Sequence, residues 1–197
     1  MKVSAKNMMI VGIVLILAFF AYTIVSKPSY PDTFTPKPVM NNPDAAVQII
    51  EFGDIQCPAC GSAHPVLKQI LTEFGDSVGY QFYHYPITNI HPHAQKAAEG
   101  SQCAKELGGN DSFWEFADVI FEKGADKGQL ASYAKEIGLD EAKFTECLDS
   151  DKFAQHVKDD MASGQTAGVR GTPGNVVYNN KTKESRLVSG AQPVSNF

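Results

Sequence analysis

After residue 44 the hydrophobic and polar positions follow the pattern of β-strands in some segments and that of α-helices in others. Residues 45–53 form a mostly apolar, β-prone run that predicts a buried strand. In residues 57–74 the apolar positions recur on one helical face, which predicts a helix that Gly75 ends. Residues 79–85 alternate and predict a second strand. These segments together predict a strand–helix–strand unit.

The second half of the chain is mainly helical and ends in two short strands. Residues 93–167 have a helical pattern almost throughout, with breaks at glycines such as Gly108–Gly109, and Asp140 is expected to cap one of the helices. Residues 175–178 and 185–189 predict a β-hairpin. A helical block of this length is far too long for a simple crossover, so we expect an inserted helical subdomain.

The N-terminal region has a different pattern. Residues 8–25 are almost unbroken in their apolar character and are long enough to span a bilayer as a helix. Lys2 and Lys6 precede this run, which predicts that residues 1–7 are cytoplasmic and that the rest of the chain is exported. A cleaved signal peptide is the alternative. We favour an uncleaved signal anchor, because no small-x-small cleavage pattern follows the apolar run.

Residues 26–44 separate this anchor from the globular part. They contain five prolines, which predicts a semi-rigid linker, although residues 32–39 could instead pack as an edge strand. Residues 45–197 then form one globular domain. The chain of 197 residues has a formal net charge of −5 and no basic patch with interleaved aromatic residues, so nucleic-acid binding is not expected.

The chemistry of the chain centres on the motif Cys57-Pro58-Ala59-Cys60. Pro58 is tolerated in a first helical turn, which places Cys57 at a helix N-terminus, where unpaired N–H groups stabilise a thiolate. A thiol of lowered pKa is suited to disulfide exchange. Half of a zinc site is the alternative, but zinc needs two more ligands, and neither the remaining cysteines nor the nearby histidines make a good second pair.

Several further segments occur in the order found in one protein family. They are Glu51–Cys60, Tyr83–Pro86, Ile90–Ala94, Ala97–Ala98, Phe113–Phe116, Ile137–Asp140 and Gly168–Pro173. With these segments the chain resembles the DsbA-like thiol–disulfide oxidoreductases of the thioredoxin-like superfamily, over about residues 45–197. The resemblance implies an α/β thioredoxin-like fold with an inserted helical subdomain at about residues 93–167. It also implies protein-disulfide oxidoreductase activity without a bound cofactor or metal.

The resemblance assigns roles to individual residues. It implies a cis bond between Thr172 and Pro173 that faces the cysteine pair. Glu51 lies in an otherwise apolar strand, where burial would raise the pKa of its carboxyl and suit it to exchange a proton with Cys60. The family commonly has an acid at this position. A partly exposed strand glutamate is the alternative for Glu51, and Asp54 competes for the shuttle role or caps the helix start.

Two features bear on redox strength and stability. Ala59 offers no charge or hydrogen bond to the Cys57 thiolate, so we predict that Cys57 is less acidic than in the most oxidising family members. Cys103 and Cys147 lie in the helical block, and in an exported domain we expect them to form a structural disulfide. Two buried free thiols are the alternative.

The expected function is therefore a membrane-anchored exchange of disulfides with exported, cysteine-containing proteins through Cys57 and Cys60, with oxidation as the favoured direction. The catalytic domain would lie on the extracytoplasmic side, and a membrane or soluble redox partner would restore the pair. A reductase or isomerase of the same fold is one alternative. A metal-binding protein or metallochaperone that uses the cysteine pair and a histidine is another.

Overall fold

The structure is a computed structural model that describes residues 39–197. The predicted cytoplasmic segment 1–7, the anchor at residues 8–25 and most of the linker lie outside the described residues. No helix within residues 39–197 is long and apolar enough to cross a membrane.

A five-stranded mixed sheet forms the centre of the domain. Its strands are β1 (Val39–Asn41), β2 (Val47–Gly53), β3 (Val78–His84), β4 (Gly174–Asn179) and β5 (Ser185–Ser189). They lie in the order β1-β3-β2-β4-β5, and only the central pair β2 and β3 is parallel. The predicted strands and the hairpin at the end of the chain are therefore present.

Helix α1 (Pro58–Phe74) connects the two parallel strands, which confirms the expected strand–helix–strand unit. Gly75 ends this helix as predicted. It has a φ of 50°, and its N–H donates to the Leu71 carbonyl. Leu67 and Ile70 of α1 join the core that covers one face of the sheet. A positive φ at the last position is far less costly for glycine than for other residues.

The inserted subdomain lies between β3 and β4. Its helices are α2 (Ala94–Lys123), α3 (Leu130–Glu136), α4 (Glu141–Asp149) and α5 (Ala154–Thr166). Asp140 caps α4 as expected, because its Oδ1 accepts from the N–H groups of Ala142 and Lys143 at 3.0 Å. The break expected at Gly108–Gly109 is a kink within α2, where Gly109 takes a φ of 86°.

Two helices sandwich the central strands. Helix α1 packs on the face of the sheet to which Glu51 belongs, while α5 packs against β2 and β3 on the opposite face. On that opposite face Gly164 lies so close to Phe52 that a Cβ at this glycine would be 2.8 Å from the ring. Both faces of the parallel strands are therefore buried, as is usual for parallel pairs.

Strand β1 lies within the predicted linker and is an edge strand, which was the alternative for residues 32–39, although β1 begins only at Val39 within the described residues. Residues 39–41 pair antiparallel with β3 and so belong to the sheet. Val39 is held from the insertion as well, because its N–H donates to Asn110 Oδ1 and its carbonyl accepts from Trp114 Nε1. These hydrogen bonds connect residues far apart in sequence, which a proline count over residues 26–44 does not reveal.

Candidate active site

Cys57 occupies the N-cap position of α1, and Pro58 follows at the first helical position. The backbone of Cys57 is extended, with φ −75° and ψ 122°, while its carbonyl accepts from Gly61 N–H at 3.1 Å. The Cys57 side chain therefore lies next to the first N–H groups of the helix, which have no partner within the helix itself. Cys60 lies further in and is fully buried, and both cysteines are free thiols.

The loop before β4 completes the surroundings of Cys57. The Thr172–Pro173 bond is cis, and the Cys57 thiol donates to the Thr172 carbonyl oxygen across 3.7 Å. These residues are 115 positions apart in sequence. The fold thus brings together the cysteine pair and the cis-proline loop that the sequence resemblance indicated.

The two thiols have opposite acidities. The pKa of Cys57 falls from 9.0 to about 5, chiefly because the Cys60 thiol hydrogen-bonds to the Cys57 thiolate. Burial opposes this shift, while the Thr172 side chain and the backbone N–H groups of Cys60 and Ala59 lower the pKa further. The pKa of Cys60 is raised far above its ordinary value, first by burial and then by its hydrogen bond to Cys57 and the charge of Glu51. Cys57 is therefore the better nucleophile and leaving group at neutral pH.

Glu51 lies behind this pair on β2 and is only 1% exposed. Burial raises the pKa of its carboxyl to about 7, and the Cys57 charge adds to the rise. Hydrogen bonds from Tyr80 and Cys60 oppose it. Glu51 is therefore buried, as expected from its apolar strand, and can change protonation state near neutral pH.

Asp54 connects the active-site turn to the segment that leads into the insertion. Its Oδ1 accepts from Gln56 N–H at 2.8 Å, and its Oδ2 accepts from Ile87 N–H at 2.9 Å. His91 Nδ1 lies 2.7 Å from the same Oδ2. Asp54 does not cap α1, because the N–H groups that its two oxygens accept from belong to Gln56 and Ile87, outside that helix. Asp54 therefore connects two loops through hydrogen bonds. Its position in the turn did not indicate this role.

A cleft of about 330 Å³ opens beside Cys57, between α1 and the end of α2. Its lining is Ile55, Gln56, Cys57, Pro58, Gly61, Ser62, Ile120, Phe121 and Gly124. Most of these side chains are apolar or small, so an extended peptide segment could lie against them next to the reactive sulfur.

Other candidate residues make their contacts within the insertion or with it. Cys103 of α2 and Cys147 of α4 are joined as a disulfide with a Cα–Cα distance of 5.9 Å. His84 is buried against Gln102, and the Nε2 atoms of the two side chains lie 2.8 Å apart. Among residues 39–197 no three His, Cys, Asp or Glu side chains are grouped so that they could hold a metal ion.

Sequence comparison places the domain among known proteins. A family model described as thioredoxin matches residues 34–191. The chain is 34% identical over 132 residues to a Na⁺/H⁺ antiporter NhaA 1 of Salinispora arenicola, which covers 66% of this chain and 20% of that protein. An NhaA antiporter of Herminiimonas arsenicoxydans is 33% identical with the same coverage. The chain thus spans about a fifth of the length of these curated relatives.

Solved structures give the same fold. DsbA2 of Pseudomonas aeruginosa superposes with a TM-score of 0.70 at 24% identity, covering 83% of this chain and 92% of that one. Oxidised BdbD of Bacillus subtilis superposes with a TM-score of 0.69 at 26% identity, covering 81% of this chain and 88% of that one.

Proposed function

Because the chain belongs to the thioredoxin family and its described part has the fold of DsbA-type thiol–disulfide oxidoreductases, we propose that the protein oxidises thiols of exported proteins. One observation carries this proposal. Cys57, with a pKa of about 5, lies at a helix N-terminus and faces the cis Thr172–Pro173 loop, while Cys60 is buried behind it. Such a pair is arranged for attack at one sulfur and release of the other.

The first step converts the protein disulfide into a mixed disulfide between Cys57 and the substrate. A substrate thiolate attacks Cys57 Sγ of the Cys57–Cys60 disulfide, and the bond between the two protein sulfurs breaks. Cys60 leaves with the electron pair and takes a proton, because its pKa is far above neutral. Glu51 is the buried acid that supplies this proton.

The second step releases oxidised substrate. A second substrate thiol loses its proton to solvent and attacks the substrate sulfur of the mixed disulfide, and Cys57 leaves as the thiolate. The protein has then gained two electrons and the substrate has lost two. A redox partner that accepts these electrons from the dithiol restores the disulfide.

The acidity of Cys57 supports oxidation as the direction. Whatever stabilises the thiolate stabilises the reduced protein, so the disulfide form becomes a stronger oxidant. Here the stabilisation comes from Cys60, Thr172 and two backbone N–H groups. Ala59 contributes only its N–H, so we expect a potential below that of the strongest oxidants of the family.

Export and membrane anchoring are part of the same proposal. They rest on the apolar run at residues 8–25 and on the positive charge of Lys2 and Lys6 before it. A linker rich in proline would hold the domain away from the bilayer.

The reduction potential tests the direction of electron flow. The purified protein is equilibrated in glutathione buffers of known ratio, trapped with a thiol-alkylating reagent and weighed by mass spectrometry. We expect a value between about −230 mV and −120 mV, the range from glutaredoxins to strong oxidants. The matched control is a Cys103→Ala/Cys147→Ala variant, in which every added alkyl group reports on Cys57 and Cys60.

A potential near −270 mV or lower, similar to thioredoxin, would make the protein a reductase. Failure of the cysteine pair to exchange with glutathione, together with stoichiometric binding of zinc or copper, would favour the metal-binding alternative.

A further inference from the structure

Within residues 39–197 the Glu51 carboxyl has one hydrogen-bond partner outside the cysteine pair, and that partner is a phenol. Tyr80 Oη donates a hydrogen bond to Glu51 Oε2 at 2.5 Å. Tyr80 is 0% exposed and Glu51 is 1% exposed, so no bulk water competes for this contact. Hydrogen bonds to a charged acceptor are among the stronger ones in proteins, and burial strengthens them further.

Strand register and packing fix this contact. Tyr80 of β3 is opposite Ile49 of β2, two residues before Glu51, so both side chains project from the same face of the sheet. The Tyr80 ring packs against Trp114 of α2, with centroids 5.3 Å apart. The phenol is thus held from two sides, and its hydroxyl has little freedom to leave the carboxyl.

In the described part of the chain, few other ionisable groups face Glu51. From α1 it faces Cys57 and Cys60, and from β3 it faces Tyr80. Its register partner on β4 is Asn175, which is fully buried and carries no charge. Burial and the charge of Glu51 raise the pKa of Tyr80 well above its ordinary value. Tyr80 therefore keeps its proton and remains a hydrogen-bond donor throughout the reaction.

We propose that Tyr80 is a positioning residue for proton exchange: its hydroxyl occupies Glu51 Oε2, so that Oε1 is left to exchange a proton with Cys60. This inference rests on the proposed thiol–disulfide exchange and extends it. When Cys60 attacks the mixed disulfide to release a substrate, Glu51 takes the thiol proton while the new Cys57–Cys60 bond forms. In the opposite direction the same carboxyl returns that proton.

The experiment follows release of a substrate from its mixed disulfide. A peptide with a single cysteine is coupled to Cys57, and its release by Cys60 is timed across pH in the full chain. In the wild type the rate should rise with pH through the Glu51 midpoint, because the carboxylate is the base. This midpoint should lie below the value of about 7 in the dithiol, because Cys57 carries no charge in the mixed disulfide.

The Tyr80→Phe variant removes only the hydroxyl. Since the Tyr80 hydrogen bond lowers the pKa of Glu51, its loss should move the midpoint up by about one pH unit, the size expected for one buried hydrogen bond to a carboxylate. Release well below the wild-type midpoint would then be about tenfold slower, while the plateau at high pH is retained. A merely structural role would lower the rate at all pH values and leave the midpoint in place.

Two controls isolate this effect. Tyr83→Phe makes the same change on the same strand, but Tyr83 packs against Phe52 on the other face of the sheet, so the midpoint should not move. Glu51→Gln removes the carboxyl and should abolish this midpoint.

A second measurement needs no variant. In wild-type protein labelled with ¹³C at the tyrosine Cζ, the Tyr80 signal should titrate with the Glu51 midpoint. An unchanged midpoint in Tyr80→Phe, or a Tyr80 signal that does not respond to Glu51, would overturn the proposal. If the wild type titrates in this way but Cys57 never exchanges with thiols, the proposed function fails although the Tyr80–Glu51 contact is real.

Discussion

At the residue scale, the Cys57 thiol owes its acidity to groups that surround the sulfur. The largest contribution is the hydrogen bond from Cys60, followed among the lowering effects by Thr172 and by backbone N–H groups of α1. None of these hydrogen-bonding groups carries a net charge. Neutral donors can stabilise an anion effectively when they are already oriented and partly buried.

Replacement of Cys60 should therefore change the acidity of Cys57. In Cys60→Ala the thiol donor is lost and the pKa of Cys57 should rise by about one unit or more, since one unit corresponds to about 1.4 kcal/mol and a donor to an anion contributes at least that much. Cys60→Ser keeps a donor and should show a smaller rise. The measurement is thiolate ultraviolet absorbance against pH in the reduced protein.

The wild type provides the reference for this titration. Its pKa is lowered, so the thiolate persists as pH falls until about 5 and is lost below that value. Alkylation of Cys57 should slow about tenfold per pH unit below the midpoint. Equal midpoints for the wild type and Cys60→Ala would show that the Cys60 thiol does not acidify Cys57.

At the element scale, the bridge between Cys103 and Cys147 connects the longest helix of the insertion to α4. Cys103 is 0% exposed and Cys147 is 8% exposed, so the bridge is part of the packing between these helices. It lies outside the group of residues that surrounds Cys57. Its contribution should therefore be to stability and not to exchange.

Removal of this bridge in Cys103→Ala/Cys147→Ala should lower the free energy of unfolding by about 2–4 kcal/mol, because the cross-link restricts the unfolded chain. Urea unfolding followed by circular dichroism measures the loss. The exchange rate of Cys57 with glutathione should be unchanged. A strong reductant should destabilise the wild type but not the variant, and equal stability of the two proteins without reductant would contradict this role.

At the scale of the whole molecule, the proposed location depends on residues 8–25. Alkaline phosphatase fused after residue 197 should be active in a bacterial host, because that enzyme requires disulfides that form outside the cytoplasm. Deletion of residues 8–25 should abolish the activity. An uncleaved anchor should also keep the fusion in the membrane pellet after alkaline extraction.

A soluble, active fusion with a shortened N-terminus would instead support a cleaved signal peptide. An inactive full-length fusion that is well expressed would contradict export. Replacement of Lys2 and Lys6 by Gln serves as the matched control, since it keeps the apolar run and should weaken only the orientation signal.

The sequence predicted those parts of the fold that depend on local pattern. Pro58 marked the start of α1, Gly75 marked its end and Asp140 marked the start of α4, since each acts within a few residues of the chain. Glu51 was recognised as buried because its neighbours in β2 are apolar.

Contacts between distant segments were not predictable in this way. Tyr80 meets Glu51 only because of the register between β2 and β3, and Asp54 meets Ile87 only because two loops lie side by side. Strand register and side-chain packing decide such contacts, and the hydrophobic periodicity of the sequence does not encode them.

The hydrogen bonds of Asp54 have a consequence for transplanting this motif. Asp54 receives donors from its own turn and from the segment at residues 87–91, so the position of Cys57 is set by two pieces of chain. A four-residue graft of Cys57–Cys60 into a foreign helix would carry the thiols but not this support. A working graft would have to bring the second segment with it.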